Sequence, residues 1–228
     1  MRSSWRRTLV AGTALALVAL SAGPAGAQSE PAATAGTEAA APAEGGRSRV
    51  AVQAVPAPGA PPQVLVTANR MVNGDGGTNG KCMEIAGGGV GSTYVQMAPC
   101  QSYAHQGWTE RAWSVTLPNG HTRRAYTVES HDGDAAGRCL TYTGHAVQAR
   151  MFGCGYLDTF WIKRDAPSAW HQLESVEAWY YGYSVTGNLD DRKCLDVHVN
   201  TGQTTNVVHH WTCGPLNKGN QLFRVQAA

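Results

Sequence analysis

The six cysteines of this chain could form disulfides, hold a metal or act as thiol nucleophiles, and their spacing decides among these roles. They occur in three pairs, each opened by a basic residue, a cysteine and then Met or Leu, with a second cysteine 18, 15 or 19 residues later. The opening triplets are Lys81-Cys82-Met83, Arg138-Cys139-Leu140 and Lys193-Cys194-Leu195, and the second cysteines are Cys100, Cys154 and Cys213. The leading cysteines lie 57 and 55 residues apart. This near-constant period indicates three copies of one supersecondary unit.

The repeat also indicates how the cysteines pair. Six cysteines allow fifteen pairings, but only the pairing of neighbours gives each copy the same bridge. We therefore expect the disulfides Cys82–Cys100, Cys139–Cys154 and Cys194–Cys213. Closing a loop of this length stabilises a fold by roughly 3 kcal/mol in the chain-entropy model. A bridged cysteine cannot serve as a thiol nucleophile, because that role needs the free thiolate.

The N-terminus predicts export. Three arginines precede the apolar run Thr8–Leu20, and Pro24-Ala25-Gly26-Ala27 supplies an A-x-A-like cleavage site. These features are typical of a secretory signal peptide over residues 1–27. A membrane anchor is the less favoured alternative, because the apolar run is too short to span a bilayer comfortably. We expect a secreted, extracellular protein, in a compartment where disulfides persist.

Residues 28–62 differ in composition from the remainder of the chain. They are rich in Ala, Pro, Gly, Glu, Thr and Ser and contain no aromatic residue, so we predict a disordered linker or pro-segment. Residues 63–228 suit one domain, with repeats at about 63–119, 120–172 and 173–228. Loss of the signal arginines leaves 15 basic and 16 acidic residues, a net charge of −1. A protein with this balance of charges has no strong positive potential that would attract nucleic acid or anionic lipid.

Short β-branched or aromatic runs separated by polar turn clusters predict an all-β domain. Three of these runs precede the leading cysteines, and three follow them. They are Val64-Leu65-Val66, Tyr126-Thr127-Val128, Tyr183-Ser184-Val185, Tyr94-Val95-Gln96-Met97, Ala146-Val147-Gln148 and Asn206-Val207-Val208. The segment 169–180 could form a turn or two of helix.

An aromatic residue follows each cysteine pair and could close its copy. The candidates are Trp108 or Trp113, Phe160 or Trp161, and Phe223. One copy cannot bury its own apolar face, whereas three copies around a pseudo-threefold axis can, with one aromatic from each at the centre.

Several motifs in the third copy resemble those of the ricin B-chain type lectins. These motifs are Cys194-Leu195-Asp196, Trp211-Thr212-Cys213 and Asn220-Gln221-Leu222-Phe223. Proteins of that family are β-trefoils whose copies open with Cys-Leu-Asp and close with Gln-x-Trp. The first copy here closes with Gln106-Gly107-Trp108, whereas the second has Thr159-Phe160-Trp161, without the Gln. The resemblance covers residues 63–228. Repeats of over fifty residues, against about forty in the family, require inserted loops.

The resemblance implies an all-β β-trefoil that binds a hexose, for example of galactose type, and catalyses no reaction. A sugar pocket needs a carboxylate to accept hydroxyl hydrogens, an aromatic face for the ring and an amide for a further hydroxyl. At the family's positions, the third copy has Asp196 as the carboxylate, Trp211 as the platform and His209, Asn220 and Gln221 as polar groups.

The other two copies are expected to bind less well. The first copy offers a weaker site made of Glu84, Gln96, His105 and Gln106, because Ala98 replaces the aromatic platform. The second copy has Thr141 at the carboxylate position, with Arg150 and Phe152 at the polar and aromatic positions. We expect the second copy to bind no sugar.

Other interpretations of these residues remain open. Asp196 and Gln221 could serve the fold rather than a ligand, and a degenerate trefoil could bind a protein, for instance as an inhibitor, without binding sugar. His209 and His210 are adjacent, so in a strand they point to opposite faces and cannot share a metal. The run Gly87–Gly91 lacks the Lys-Ser/Thr end of a phosphate loop. We therefore predict no metal, no cofactor and no catalytic residue.

Overall fold

The computed structural model describes residues 49–59, 69–89, 93–102, 104–132, 135, 137–199 and 204–227. Thirteen strands lie in this part of the chain, and every pair of neighbours among them is antiparallel. The strands are β1 Gln53–Pro56, β2 Asn69–Asn73, β3 Lys81–Ile85, β4 Val95–Pro99, β5 Trp108–Thr116, β6 Thr122–Ser130, β7 Arg138–Thr141, β8 Arg150–Gly153, β9 Trp161–Asp165, β10 His171–Ser175, β11 Lys193–His198, β12 Asn206–Thr212 and β13 Phe223–Ala227. Short 3-10 turns connect many of them, including Leu157–Thr159 before β9 and Gly219–Gln221 before β13.

Six of these strands form a closed barrel. β2, β5, β6, β9, β10 and β13 each pair with the next, and β13 pairs with β2 over the five residues Phe223–Ala227. Closure leaves the barrel no free edge, which removes a template for unwanted strand pairing.

Three hairpins extend from the barrel, one in each repeat. They are β3–β4, β7–β8 and β11–β12, which attach to β2, β6 and β10. In each hairpin the leading cysteine bonds to the second cysteine of its own repeat, which confirms the predicted pairing. A six-stranded barrel with three equivalent, disulfide-closed hairpins is a β-trefoil, so the predicted fold is confirmed.

The closing aromatics meet in the core, as predicted. Trp108, Trp161 and Phe223 are fully buried in one cluster, and the indole nitrogens of Trp108 and Trp161 donate to the carbonyls of Met83 and Leu140 at 2.8 and 3.0 Å. Full burial of a large apolar side chain contributes about 1.5–3 kcal/mol. Of the alternatives, Phe160 lies in a second cluster outside this core and Trp113 packs against that cluster.

The folded part begins earlier than the sequence indicated. β1 lies within the predicted linker and pairs with Trp113–Thr116 of β5. Val52 and Ala54 pack against the second apolar cluster, which contains Val115 and Phe160. The predicted end of the linker at Pro62 is therefore corrected. The backbone of β1 gains hydrogen-bonded pairing with β5, and the composition of its side chains gives no sign of this pairing. The predicted strand Val64–Val66 and the signal peptide lie outside the described residues.

Two predicted strands are wrong, and the structure shows why. Tyr183–Val185 belongs to a helical segment made of α1 Val176–Ala178, a π-helical turn Trp179–Tyr183 and α2 Ser184–Thr186. The Ser175 hydroxyl caps its start and Gly187, with a φ of 69°, ends it. In the run Ala146–Gln148, Ala146 lies in a turn with a φ of 59°, a conformation outside the β region, and Gln148 makes only an isolated β-bridge to His209. The segment 169–180 does contain the expected helical turn.

The other segments that the sequence predicted as strands do lie in strands. Tyr126–Val128 lies in β6, Val95–Met97 in β4 and Asn206–Val208 in β12. β10 begins at His171, two residues before the expected start of the third repeat. Within the described residues, we find no helix with the length and apolar character needed to cross a membrane.

The disulfide pattern makes a direct prediction. The three bridges each lie within one hairpin, and no described cysteine is free. The mature protein should therefore show no reactive thiol after denaturation, and peptide mapping should recover the three neighbour pairs. A cross-repeat pair such as Cys100 with Cys139 would contradict the threefold arrangement.

Candidate functional site

The hairpin β11–β12 places the predicted third-repeat residues on one face. Asp196 lies opposite His209, and Cys194 lies opposite Trp211. Opposed residues and residues two apart share a face of a hairpin, so Asp196, His209 and Trp211 point together. His210 points to the other face and is fully buried, which confirms that the adjacent histidines diverge.

Asp196 is held in a hydrogen-bond network by residues from two other elements. Its Oδ1 accepts from His209 Nε2 and Asn220 Nδ2, both at 3.0 Å. Its Oδ2 accepts from Gln221 Nε2 at 2.8 Å and from Asn220 Nδ2 at 3.2 Å, and Lys218 Nζ lies 3.6 Å away. Only 3% of Asp196 is exposed. The carboxylate therefore has a fixed orientation and a narrow exposed edge.

Gln221 ties the closing turn to the hairpin. Its Nε2 also donates to the Thr212 carbonyl at 2.9 Å, and its Oε1 accepts from the Gly214 amide at 2.7 Å. The residue has no exposed surface. Of the two roles open from the sequence, this geometry supports the structural one, in which Gln221 positions Asp196 and does not reach a ligand.

Trp211 supplies the open part of the cluster. It is 42% exposed, and its ring stacks on that of His209 with 5.7 Å between centroids and 21° between planes. A third ring, His145, lies 4.6 Å from Trp211 at 42°. The cluster thus presents a partly exposed aromatic surface beside the Asp196 and Asn220 side chains.

The sequence comparison of the copies missed His145, which belongs to the second repeat. The loop that carries it docks on β12, where the Ala146 amide donates to the His210 carbonyl at 2.8 Å. Partial desolvation, and then the neighbouring Lys193 and His209, lower the pKa of His145 below its ordinary value. No pattern within one copy could have identified a residue contributed by the neighbouring copy.

The first repeat brings its four predicted residues together around Glu84. Gln96 Nε2 donates to Oε1 at 2.7 Å, Gln106 Nε2 donates to Oε2 at 2.8 Å, and His105 Nε2 lies 3.4 Å from Oε2. The buried Ala98 lies opposite Cys82, where the third repeat has Trp211. This repeat therefore has the same polar network without an aromatic surface.

The second repeat departs furthest from the pattern. Thr141 is buried and donates to the Cys139 carbonyl at 2.8 Å. The Arg150 guanidinium lies over the Tyr94 ring, 4.2 Å from its centroid. Phe152 does lie opposite Cys139, at the platform position. The expected residues therefore form no carboxylate-centred cluster here.

One cluster of side chains in the second repeat has the residue types of a metal site. Glu129 lies close to the sulfurs of Cys139 and Cys154. Those two sulfurs are already joined in a disulfide. A cysteine binds a metal through its free thiolate, so these three residues do not form a metal site.

No protein-family model and no curated protein sequence matches the chain. Among solved structures, the chain is similar to the designed threefold-symmetric protein ThreeFoil, with 16% identity and a TM-score of 0.48 over 69% of this chain and 96% of the other. It is similar to the hemolytic lectin CEL-III with 19% identity and a TM-score of 0.44, over 78% and 31% of the two chains. It is similar to the C-terminal half of the earthworm R-type lectin in complex with GalNAc, with 12% identity and a TM-score of 0.43, over 71% and 99%. At such identities the similarity concerns the fold alone.

Proposed function

We propose that this secreted protein binds carbohydrate, without catalysing a reaction, through the third repeat. The observation that supports this proposal is the fixed Asp196 carboxylate beside the exposed Trp211 ring and the Asn220 amide. The apolar C–H side of a hexose would pack on Trp211, while two of its hydroxyls would bond to the Asp196 edge and to Asn220. A galactose-type sugar with adjacent hydroxyls suits this set of groups.

The narrow edge of Asp196 defines how such a ligand would approach. The sugar would enter at the rim formed by Trp211, His209 and Asn220, because the carboxylate itself is almost buried. A shallow site of this kind makes few hydrogen bonds, and each bond between neutral groups contributes only about 0.5–1.5 kcal/mol net. Secretion, which the N-terminus predicts, agrees with the three disulfides.

A second candidate function is the binding of a protein partner by a trefoil whose sugar sites have decayed. The burial of Asp196 favours it, because His209, Asn220 and Gln221 already donate to both carboxylate oxygens. In that case Trp211 would serve as an exposed anchor for a protein surface, a common role of Trp in interfaces. Glycan binding distinguishes the two candidates.

A glycan array on the purified mature chain tests the proposal. We expect signals for glycans with accessible terminal hexoses, and a dissociation constant near the millimolar scale, about −4 kcal/mol, for a monosaccharide. Trp211→Ala should lose the array signal and retain its melting temperature, because the ring is 42% exposed and lies beside the exposed His145 ring and the partly buried His209 ring. No array signal, or a submicromolar constant for a monosaccharide, would contradict this shallow-site proposal.

A further inference from the structure

The second repeat holds the side chain of Arg49 in a closely fitted site. Arg49 Nε donates to Asp158 Oδ2 at 2.7 Å, and Nη2 donates to Asp158 Oδ1 at 2.9 Å and to the Gly153 carbonyl at 3.0 Å. The Asp158 side chain is only 10% exposed. The planar guanidinium thus forms the two-pronged contact with carboxylate that an ammonium group cannot form.

Two aromatic rings complete the site. The Arg49 Cζ lies 4.0 Å from the centroid of the Tyr156 ring and 5.5 Å from that of Phe152. A guanidinium within about 6 Å of a ring face is attracted by the negative face of the ring. The site therefore combines a carboxylate, a carbonyl and two aromatic rings around one cation.

The position of this site corresponds to the proposed sugar site of the third repeat. Phe152 lies opposite Cys139, as Trp211 lies opposite Cys194. Asp158 lies in the 3-10 turn before β9, two residues after Tyr156, and the corresponding turn before β13 contains Asn220. In the second repeat the carboxylate thus comes from the closing turn, and the group that it holds is a cation.

The segment that carries Arg49 is also bound through its backbone. The Leu157 amide donates to the Val50 carbonyl at 2.8 Å, the Val52 amide donates to the Gly155 carbonyl at 3.3 Å, and β1 pairs with β5. The backbone contacts do not need the Arg49 side chain. Removal of the side chain should therefore vacate the site and leave the segment in place.

We propose that the second repeat is a guanidinium-binding site and that Arg49 is its tethered ligand. When Arg49 is absent, the site takes an arginine side chain from a separate peptide. Tethering gives Arg49 a high effective concentration, so the wild-type protein excludes a free guanidinium ligand. The site binds a different chemical class from the third repeat, and this inference does not depend on sugar binding.

Chemical rescue tests the site. Arg49→Ala should lower the melting temperature, and millimolar methylguanidinium should restore part of the loss in a saturable way. Methylammonium at the same concentration should not, because it lacks the planar fork. The double variant Arg49→Ala/Asp158→Asn should show no rescue. Equal effects of methylguanidinium on the wild type, on Arg49→Ala and on the double variant would overturn the proposal.

A peptide titration tests binding from a separate molecule. The peptide acetyl-Gly-Arg-Gly-amide should bind Arg49→Ala at least about tenfold more tightly than the wild type, in which Arg49 competes. The matched peptide acetyl-Gly-Lys-Gly-amide should bind neither protein measurably. If Asp158→Asn unfolds, Tyr156→Leu in the Arg49→Ala background replaces it as the control, and it too should lose the peptide. Equal affinity for the arginine and lysine peptides, or no binding to a folded Arg49→Ala, would contradict a guanidinium site.

Discussion

Replacement of Asp196 by Asn is expected to weaken sugar binding by about tenfold or more, because a hydrogen bond to a charged acceptor contributes about 1.5–3 kcal/mol. The variant keeps the shape of the side chain and removes its charge. It also replaces one acceptor oxygen by an NH2 group that would face the donors of Asn220 and Gln221. The protein should therefore lose stability as well as affinity, and a control must separate these two effects.

Glu84→Gln in the first repeat is the matched control. Glu84 accepts from Gln96 and Gln106 in the equivalent network, so its replacement should lower the melting temperature to a similar extent. It should leave sugar binding largely intact, because Ala98 provides no aromatic platform. Titration calorimetry with a sugar identified on the array, together with thermal melting, measures both quantities. Thr141→Ala should change the affinity least.

The opposite pattern would relocate the site. If Glu84→Gln abolishes binding and Asp196→Asn does not, the first repeat is the working site. If neither variant changes the affinity of an array-positive protein, the aromatic residues of the segment Trp170–Tyr183, which contains β10 and the first helical turns, become the better candidate surface.

The repeat architecture was predictable because it rests on covalent and periodic features. Equivalent cysteine spacing required equivalent hairpins, and those hairpins required a shared core. The sequence did not predict which of two neighbouring aromatic residues enters the central core. Phe160 and Trp161 are adjacent in the chain and point to opposite sides, so only the assembled barrel shows that Trp161 enters the core.

The parts of the sites that the sequence did not reveal come from distant segments. Arg49 contacts Asp158 across 109 residues, and His145 reaches Trp211 from the preceding repeat. Arg49 also lies inside the stretch 28–62, whose composition is typical of a linker. Alignment of the copies compares equivalent positions within repeats, so it gives no signal for contacts between a repeat and a segment outside it.

The buried His210 should make the protein sensitive to acid. The His210 ring has no exposed surface, stacks on Trp161 with 5.8 Å between centroids, and meets Tyr142 edge-on at 5.0 Å. Its Nδ1 lies 3.1 Å from the Val147 carbonyl, and its Nε2 is buried without a hydrogen-bond partner among the described residues. Burial lowers the pKa of His210 to about 3.

The consequence for stability follows from proton linkage. Below pH 6.5 the unfolded chain binds a proton at this histidine, whereas the folded protein does so only near pH 3, so the free energy of unfolding falls as the pH falls between these values. Two pH units below the ordinary histidine pKa, at about pH 4.5, the loss should be about 3 kcal/mol. Urea denaturation at neutral pH and at about pH 4.5 measures this loss.

His210→Phe identifies the source of that loss. Phenylalanine keeps the ring stacked on Trp161, and the Val147 carbonyl still accepts from the backbone amide of residue 210 at 3.2 Å. The variant should be less sensitive to acid than the wild type by about 3 kcal/mol, because the only change in titration is the removal of one buried imidazole. His121→Asn, at an exposed histidine, should retain the wild-type sensitivity. All three proteins have the same carboxylates, so the contribution of these groups cancels in the comparison. If His210→Phe loses as much unfolding free energy in acid as the wild type, the core imidazole is not the group responsible.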